Sequence, residues 1–369
     1  MSKQISLFAQ IVDKYFQGGV IKKITEKING EKKEQELLHK RMLTEEYSND
    51  LTWSSADYDE SIVAADIVTM DSSLPLKSRD SFGKAVGEIP KMGLKYVLKE
   101  KDLKDLQIMQ RAGGKEAEIA AKLLKNSTKC IKGMDVRKEI MFLEGLSTGH
   151  MGVANPNEEG VGIRVNFGYK DEHFFKATTA AWSNISNATP VDDIRQMFDR
   201  AEEDGDTIEH VMLTKKYFDY LRNSTQGKKL VANFTGQVVT SNTQLTVPTR
   251  QRMLDALEDE FGATFEYVSP KFKIENPDGT KTTVTPFAEA NIVGLPSKEV
   301  VGRLVYSDLV EEANPVAGVS YAKSGSHVLV SEYSVNEPSL SEFTSAQAFA
   351  IPVIDNGGSF YVLEANATA

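Results

Sequence analysis

The sequence predicts an α+β fold, and three observations predict it. Apolar residues recur at helical spacing between about residues 101 and 149, a two-residue alternation begins after Gly149, and strands then interleave with helices without a regular repeat. The 369 residues exceed one ordinary domain. About two domains, or one domain that carries long excursions, are therefore expected.

Composition and charge exclude several classes of protein. The formal net charge is −10, from 53 acidic and 43 basic side chains, which opposes adhesion to nucleic acid phosphates or to anionic membranes. The single cysteine, Cys130, cannot form an internal disulfide and fits a reducing cytoplasm. Neither a secretory signal nor a run of about eighteen apolar residues occurs, so a membrane-spanning chain is not expected.

The N-terminus predicts an amphipathic helix. Phe8, Val12 and Phe16 lie at four-residue spacing, with Ile5 three residues earlier, and Gly18-Gly19 is expected to end the helix. Such a helix needs an apolar surface to cover, either on its own domain or on another subunit. Both alternatives are open from the sequence. The residues that follow, 30–46, are charged and favour a helix.

A long polar excursion follows between two predicted strands. Ile62 to Thr69 and Leu94 to Leu98 have strand composition, and Pro75 and Pro90 interrupt the residues between them. Loops of this length in compact domains are uncommon and are usually functional or ordered by a partner.

The next segment is helical. Its apolar spacing predicts two or three helices with breaks at Gly113-Gly114 and around Gly133. The last helix is expected from about Asp135 to a cap near Gly149.

Strand and helix signals then alternate. Ile163 to Phe167 predicts a strand, and Phe174 to Trp182 is its predicted hairpin partner. A helix is expected to begin with Thr189 as N-cap and Pro190 at its first position, and Asp192-Asp193 lie in its first turn. The later predicted strands are 210–213, 264–268, 272–275, 281–284, 291–294 and 300–306, the helices are 215–223 and 248–260, and a C-terminal hairpin joins 346–354 to 359–364.

No arrangement of residue types indicates an enzyme. The five histidines lack the spacing of a metalloprotease helix, and Gly113-Gly114-Lys115 lacks the rest of a P-loop. Gly325-Ser326-His327 could place a nucleophile beside a base, but it lacks the glycines of a nucleophile elbow and is interpreted as a turn.

Acidic clusters and the tryptophan have structural interpretations too. Asp192-Asp193 and Glu202-Glu203-Asp204 are explained by helix electrostatics rather than by acid–base or metal chemistry. Trp182 is interpreted as a core or interface anchor. No catalytic residue, metal or cofactor is predicted.

The order of these features carries a resemblance. Val165-Asn-Phe-Gly168, a turn, Trp182-Ser183 and Thr189-Pro-Val-Asp-Asp-Ile194 follow one another as in the central block of the lambda-type major capsid protein E family of tailed phages. The similarity extends to the helix before Gly149. Further segments that resemble the family are 63–98, 210–218, 291–296, 302–306 and 351–363, so the likeness covers about Ile62 to the C-terminus.

The resemblance implies the Hong Kong 97-type capsid fold. Its parts would be an N-terminal arm (1–50), an extended β loop (51–100), a peripheral domain with a spine helix (101–188), an axial domain (189–300), and return strands with a C-terminal hairpin (301–369). Phe8, Val12, Phe16, Trp182, Thr189, Pro190 and Asp192 are the candidate structural or assembly residues. The arm before about Ser48 is either removed during maturation or retained.

The implied function is that of a phage major capsid protein without enzyme activity or cofactor. Such subunits form pentamers and hexamers that close into an icosahedral shell around double-stranded DNA, after assembly in the host cytoplasm. Portal and scaffolding proteins are implied partners, and the resemblance leaves open whether a decoration protein also binds. The alternatives are an encapsulin-like bacterial compartment with the same fold, or a soluble hydrolase whose site is assembled from scattered acids and histidines.

Overall fold

The computed structural model describes residues 5–6, 8–16, 37–56, 84–154, 162–237, 245–276 and 278–368. The chain divides into two compact units, each built from three separate stretches. The first unit comprises Met1–Trp53, Glu88–Ile140 and Leu304–Pro352, and the second comprises Ser54–Gly87, Met141–Arg303 and Val353–Ala369.

Helices and strands alternate along the described residues. The helices are α1 (Ala9–Tyr15), α2 (Leu38–Met42), α3 (Glu100–Arg111), α4 (Glu116–Leu123), α5 (Lys125–Thr148), α6 (Pro190–Asp204), α7 (Lys215–Asn223), α8 (Thr225–Phe234), α9 (Arg250–Phe261) and α10 (Val310–Ala313). The strands are β1 (Leu43–Tyr47), β2 (Thr52–Ala56), β3 (Lys84–Glu88), β4 (Lys91–Leu98), β5 (His150–Ala154), β6 (Gly162–Asn166), β7 (Phe174–Ala177), β8 (His210–Thr214), β9 (Thr264–Val268), β10 (Phe272–Glu275), β11 (Lys281–Val284), β12 (Asn291–Leu295), β13 (Gly302–Ser307), β14 (Ser320–Ser324), β15 (Val328–Val335), β16 (Ser341–Ile354) and β17 (Tyr361–Thr368).

The first unit is built on a six-stranded sheet in the order β1-β13-β16-β15-β14, in which β4 also pairs with β16. β16 has 14 residues, and both of its edges are paired over residues 342–347, where Val330 of β15 and Leu94 of β4 lie opposite Ala346. Apolar side chains of α1, α3, α4 and the first half of α5 pack with Val330 and Ala346 in one buried cluster. One face of this sheet is therefore covered by helices.

The second unit is built on a five-stranded mixed sheet in the order β7-β17-β12-β8-β9. β12 is antiparallel to β17 and β8, whereas β7–β17 and β8–β9 are parallel pairs. Side chains of α6, α7, α8 and α9 form its core with β8, β12 and β17. Because β8 is buried on both faces, it has a continuous apolar run instead of an alternating one.

Several elements lie where the sequence predicts them. α7 covers Lys215–Asn223 and β9 covers Thr264–Val268. β10 and β11 form the predicted hairpin, with Phe272 opposite Val284. The break at Gly113-Gly114 separates α3 from α4, and Gly113 has a positive φ of 75°.

The predicted hairpin between Ile163–Phe167 and Phe174–Trp182 is wrong. β6 pairs with the preceding strand β5, with Val165 opposite Met151. β7 pairs instead with β17, in parallel, with Phe174 opposite Val362. The partner of β6 was missed because His150–Ala154 contains glycine and alanine and carries a weak strand signal. The C-terminal hairpin is wrong as well, because β16 and β17 belong to different sheets.

The expected break around Gly133 is absent. α5 runs for 24 residues and begins ten residues before the predicted start at Asp135. A Cβ atom at position 133 would lie 2.9 Å from Leu94 Cδ1, so glycine lets β4 approach the helix closely. Tertiary packing here outweighs the intrinsic cost of a helical glycine, about 1 kcal/mol.

The charged segment 30–46 is helical only in part. Within its described residues, α2 ends at Met42, and Leu43 to Glu46 belong to β1, which pairs with β13. Sheet pairing overrides the helix propensity of these residues. The predicted strand Ile62–Thr69, with Pro75, and the predicted helix end at Gly18-Gly19 lie outside the described residues.

Candidate functional site

Trp182 is fully buried in the core of the second unit. Its indole Nε1 donates a hydrogen bond to Asp193 Oδ2 at 2.8 Å, and its backbone N–H donates to the carbonyl oxygen of Ala365 at 2.9 Å. Asp193, also fully buried, accepts a 2.9 Å bond from the backbone N–H of Thr178 and another from the Thr178 hydroxyl. Three donors therefore converge on one carboxylate in the first turn of α6, where the helix dipole also favours negative charge.

The start of α6 is placed as predicted, but its cap is different. Pro190 is the first helical residue, and Thr189 is the N-cap residue. The Thr189 side chain does not cap the helix, because its hydroxyl bonds to that of Thr179 at 2.9 Å. The Gln226 side chain takes this role, since its Oε1 accepts from the backbone N–H of Val191 at 3.0 Å and more weakly, at 3.4 Å, from the next residue. The capping side chain comes from α8 rather than from the helix itself.

The two adjacent acids at this helix start have different roles. Asp192 is exposed. Its carboxylate accepts hydrogen bonds from Arg195 Nη1 at 2.9 Å and from the Gln226 amide, so its ion pair lies at the surface. Asp193 holds the buried network of Trp182. Helix electrostatics alone, as predicted from the sequence for both acids, does not account for this role of Asp193. A usable signal existed, because a buried indole N–H needs an acceptor nearby.

Phe8, Val12 and Phe16 are buried against the first unit of their own chain. Of the two alternatives, the structure of this single chain shows packing on its own domain. Ile5, expected on the same apolar face, is instead exposed. Whether these residues act in assembly stays a prediction.

Ser326 and His327 are brought together, but in a structural arrangement. They lie in the turn between β14 and β15, and Ser326 Oγ is 3.1 Å from His327 Nδ1. The Ser326 hydroxyl also donates to Glu45, and Lys138 Nζ lies 2.9 Å from His327 Nε2. Burial, followed by the positive charge of Lys138, lowers the pKa of His327 to about 4. The imidazole is therefore neutral at neutral pH and accepts from the lysine, which ties the turn to α5.

A second polar cluster, in the other unit, joins the end of α6 to β17. His173 Nε2 lies 3.1 Å from Asp204 Oδ2, and the Tyr361 hydroxyl donates to Asp206 Oδ2 at 2.8 Å. The His173 and Tyr361 rings stack at 4.1 Å between centroids. Burial lowers the pKa of His173, so its imidazole is neutral at neutral pH. Asp204, predicted only as a member of an acidic run, has partners that are distant in sequence and that local patterns do not indicate.

The described residues contain no group of three or more His, Cys, Asp and Glu side chains that could hold a metal ion. Within the same ranges, no helix is long and apolar enough to cross a membrane. The polar networks that the structure does contain join one element to another.

Comparison with known proteins is consistent with these observations. A family model described as phage major capsid protein E matches residues 21–322. The match begins at residue 21, whereas the resemblance in the sequence began at about Ile62. It ends at residue 322, before the C-terminal strands. No curated protein matches the chain.

A solved structure shows the same fold. A prophage protein of E. coli CFT073 named as a capsid protein aligns with a TM-score of 0.56 at 12% identity, covering 94% of this chain and 98% of that one. The mature capsid of bacteriophage PhiM1 aligns with a TM-score of 0.44 at 12% identity, over 90% and 87% of the two chains. The SrpI encapsulin of Synechococcus elongatus PCC 7942 aligns with a TM-score of 0.42 at 10% identity, over 89% and 86%.

The predicted Hong Kong 97-type capsid fold is thus confirmed. The family model covers more than four fifths of the sequence and selects the phage capsid over the encapsulin alternative. The chain belongs to the phage major capsid protein E family.

Proposed function

We propose that this phage major capsid protein assembles through pentamers and hexamers into an icosahedral shell around the double-stranded DNA of a tailed phage. The observation that carries the proposal is the family match over residues 21–322. We propose that the role of the protein is structural and that it has no enzyme activity.

The physics of such a shell is repeated contact between copies. A subunit held by several neighbours leaves only when all contacts break together, so interfaces of modest size suffice for a stable lattice. The net charge of −10 suits a wall around a polyanion, because strong adhesion to the packaged DNA would hinder its movement. Buried networks such as that of Trp182 and Asp193 would keep each copy in one shape, which symmetric assembly requires.

We further propose that assembly occurs in the bacterial host cytoplasm with portal and scaffolding proteins as partners. A decoration protein on the outer surface is a further candidate partner. These proposals rest on family membership.

The most informative experiment is to express the full chain, size it by gel filtration with light scattering, and image it by negative-stain microscopy. Rings, sheets or closed shells are the expected result. A monodisperse monomer that stays a monomer with scaffolding protein present would contradict the proposal.

Variants separate specific assembly from aggregation. Trp182→Ala removes the anchor of a buried network and is expected to abolish ordered particles, whereas Asp192→Ala, at the exposed start of α6, is expected to retain them. Intact and equally stable shells from Trp182→Ala would show that the anchor role is wrong.

The contents of particles from the natural source distinguish a capsid from a compartment. Double-stranded DNA inside the shell is expected. A shell filled with a cargo enzyme would favour an encapsulin-like compartment instead.

A further inference from the structure

The N-terminal segment, residues 5–6 and 8–16, is docked on the helix-covered face of the six-stranded sheet. Phe8, Val12 and Phe16 are buried there among side chains of α3, α4 and α5. The start of the segment is fixed by polar contacts. The Ser6 hydroxyl donates to Glu342 Oε1, and the Ser334 hydroxyl donates to the carbonyl oxygen of Ile5 at 2.9 Å.

Two glutamates lie directly under these contacts. Glu332 of β15 and Glu342 of β16 are both fully buried. In the β15–β16 register Glu332 lies opposite Thr344, and Glu342 lies opposite Ser334, so the two acids are diagonal neighbours on one face. Because side chains alternate, this is the face that carries Val330 and Ala346 and meets the helices.

The pair lacks the partners that two ionised carboxylates would need. Among the described residues, no side chain or backbone group donates a hydrogen bond to either carboxylate oxygen of Glu332 or to Oε2 of Glu342. Burial of each acid and the proximity of the other raise the pKa of Glu332 well above its ordinary value, and burial raises that of Glu342. A single proton shared between the two carboxyl groups would supply the missing donor and remove one of the two charges.

No cation compensates the pair among the described residues. No Lys, Arg or His side chain in the described ranges contributes to the pKa shift of either carboxyl group. From α1, Lys14 pairs with Glu116 of α4 at the surface, at 2.9 Å. From α5, Lys129 is exposed and lies over the ring of Tyr96 of β4, 5.4 Å from its centroid.

Among the described residues, two further titratable groups lie near the pair: Tyr96 of β4, which is opposite Thr344, and the Cys130 thiol of α5, which is buried and whose pKa burial raises to about 12. The thiol therefore stays neutral over the range in which glutamates titrate. The third neighbouring strand, β14, places Ser320 opposite Glu332, and serine does not titrate.

We propose that Glu332 and Glu342 form a proton-linked latch for the N-terminal segment, which stays docked while the pair holds a proton and is released when the pair loses it. Loss of the proton leaves two negative charges side by side in a dry environment. Lifting the segment away lets water reach them, so deprotonation favours the undocked state. Release would expose the apolar surface that Phe8, Val12 and Phe16 cover.

The direction of the pH effect follows from the raised pKa values. The docked state binds the proton more tightly than the undocked state does, so docking is strongest below the ordinary glutamate pKa of about 4.3. It weakens as the pH rises through the raised pKa values of the pair. Mild acid therefore favours the docked state of the segment, and higher pH favours the undocked state.

Hydrogen–deuterium exchange of the full chain tests the latch. The amides of Ile11, Val12 and Phe16 are hydrogen-bonded in the docked segment, and their protection factors, corrected for intrinsic exchange, are compared at pH 5 and pH 9. A loss of at least about tenfold is expected, since one unit of pKa difference corresponds to a factor of ten. Amides of α6, in the other unit, serve as the reference and are expected to change less than the segment does. Equal protection of the segment at both pH values would overturn the proposal.

Two variants identify the responsible groups. Glu342→Gln keeps the shape and the acceptor for Ser6 but cannot lose a proton, so the pH dependence of the segment should fall, because only Glu332 still titrates. Glu116→Gln is the matched control, because it changes a glutamate that contacts the same segment at the surface, and it should retain the dependence. If Glu342→Gln does not fold, Glu332→Gln replaces it with the same expectation. A pH dependence that is as large in the folded variant as in the parent would overturn the latch.

A cation could neutralise the pair in place of a proton. The exchange at pH 8 is therefore repeated with EDTA and with added Ca²⁺ or Mg²⁺. Protection that is the same under all these conditions supports the proton latch. Protection restored by the divalent ion would overturn it in favour of a cation site.

Discussion

At the residue scale, the buried carboxylate of Asp193 has an importance that its neighbour Asp192 lacks. It accepts from the indole of Trp182 and twice from Thr178. These donors belong to a segment without regular secondary structure. Within this network, Asp193 is their acceptor. One side chain thus fixes the path of the chain into α6.

We expect Asp193→Ala to lower the free energy of unfolding by about 3 kcal/mol, because it leaves buried donors without an acceptor. Urea denaturation followed by far-UV circular dichroism measures the loss. Asp192→Ala is the control and should cost less than about 1 kcal/mol, since its ion pair with Arg195 is exposed. Similar losses in the two variants would contradict the assignment.

His327 makes a pH-dependent contribution. Its pKa is about 4 in the folded chain, against 6.5 for an ordinary histidine, so the unfolded state binds the proton more tightly. Stability from this group is therefore complete above about pH 6.5 and falls as the pH drops towards 4, by up to about 3 kcal/mol.

The variant His327→Gln removes this titration while keeping an acceptor for Lys138. Between pH 7 and pH 4.5 it should lose about 2 kcal/mol less stability than the parent. Thermal or urea unfolding at the two pH values checks this. An equal loss in both proteins would show that another group is responsible.

At the element scale, the end of α5 depends on a single glycine. Gly149 has a φ of 73°, and a Cβ atom there would lie 2.7 Å from Tyr169 Cγ. The Tyr169 ring cannot easily retreat, because it stacks on Phe360 at 4.9 Å and its hydroxyl donates to the carbonyl oxygen of Leu146.

Gly149→Ala should destabilise the chain by about 2–4 kcal/mol, from a left-handed backbone conformation plus a steric clash. Gly205→Ala is matched in conformation, with a φ of 78° at the end of α6, but nothing lies within 4 Å of the added Cβ atom. It should cost only about 1 kcal/mol. Calorimetry measures the loss in free energy of unfolding of each variant, and the difference between the two losses gives the contribution of the steric clash. Equal losses would show that the clash contributes nothing.

Local signals explain which elements were predictable. α7 and the β10–β11 hairpin follow from local periodicity and turn residues, and both match the structure. The partners of β6, β7 and β17 could not be inferred, because strand pairing depends on the whole fold rather than on nearby sequence. Gly133 was misjudged for a related reason, since the approach of β4 to α5 is a tertiary contact. At the candidate site, the burial of Trp182 and the helix start at Pro190 follow from the sequence, although Trp182 lies in a turn rather than in the predicted strand, whereas Gln226 and Asp193 acquire their roles only through contacts between elements.

At the scale of the whole molecule, the excess of ten negative charges should keep the chain from binding DNA tightly. Shells emptied of DNA are expected to show no measurable binding to double-stranded DNA at about 150 mM salt, where repulsion is only partly screened. Gel-shift or filter-binding titrations over a range of salt concentrations test this. Tight binding with a steep salt dependence would indicate a strongly basic inner surface and contradict the expectation.

β16 has a further consequence for how the protein is made. This strand, near the end of the chain, pairs with β4, whose residues are translated about 250 positions earlier in the same register. At roughly 5–20 residues per second, β4 and the helices beside it wait on the order of tens of seconds for their central strand. During that interval the apolar surface of these elements has no native cover, so this part of the chain is exposed to misfolding and aggregation until β16 has been made.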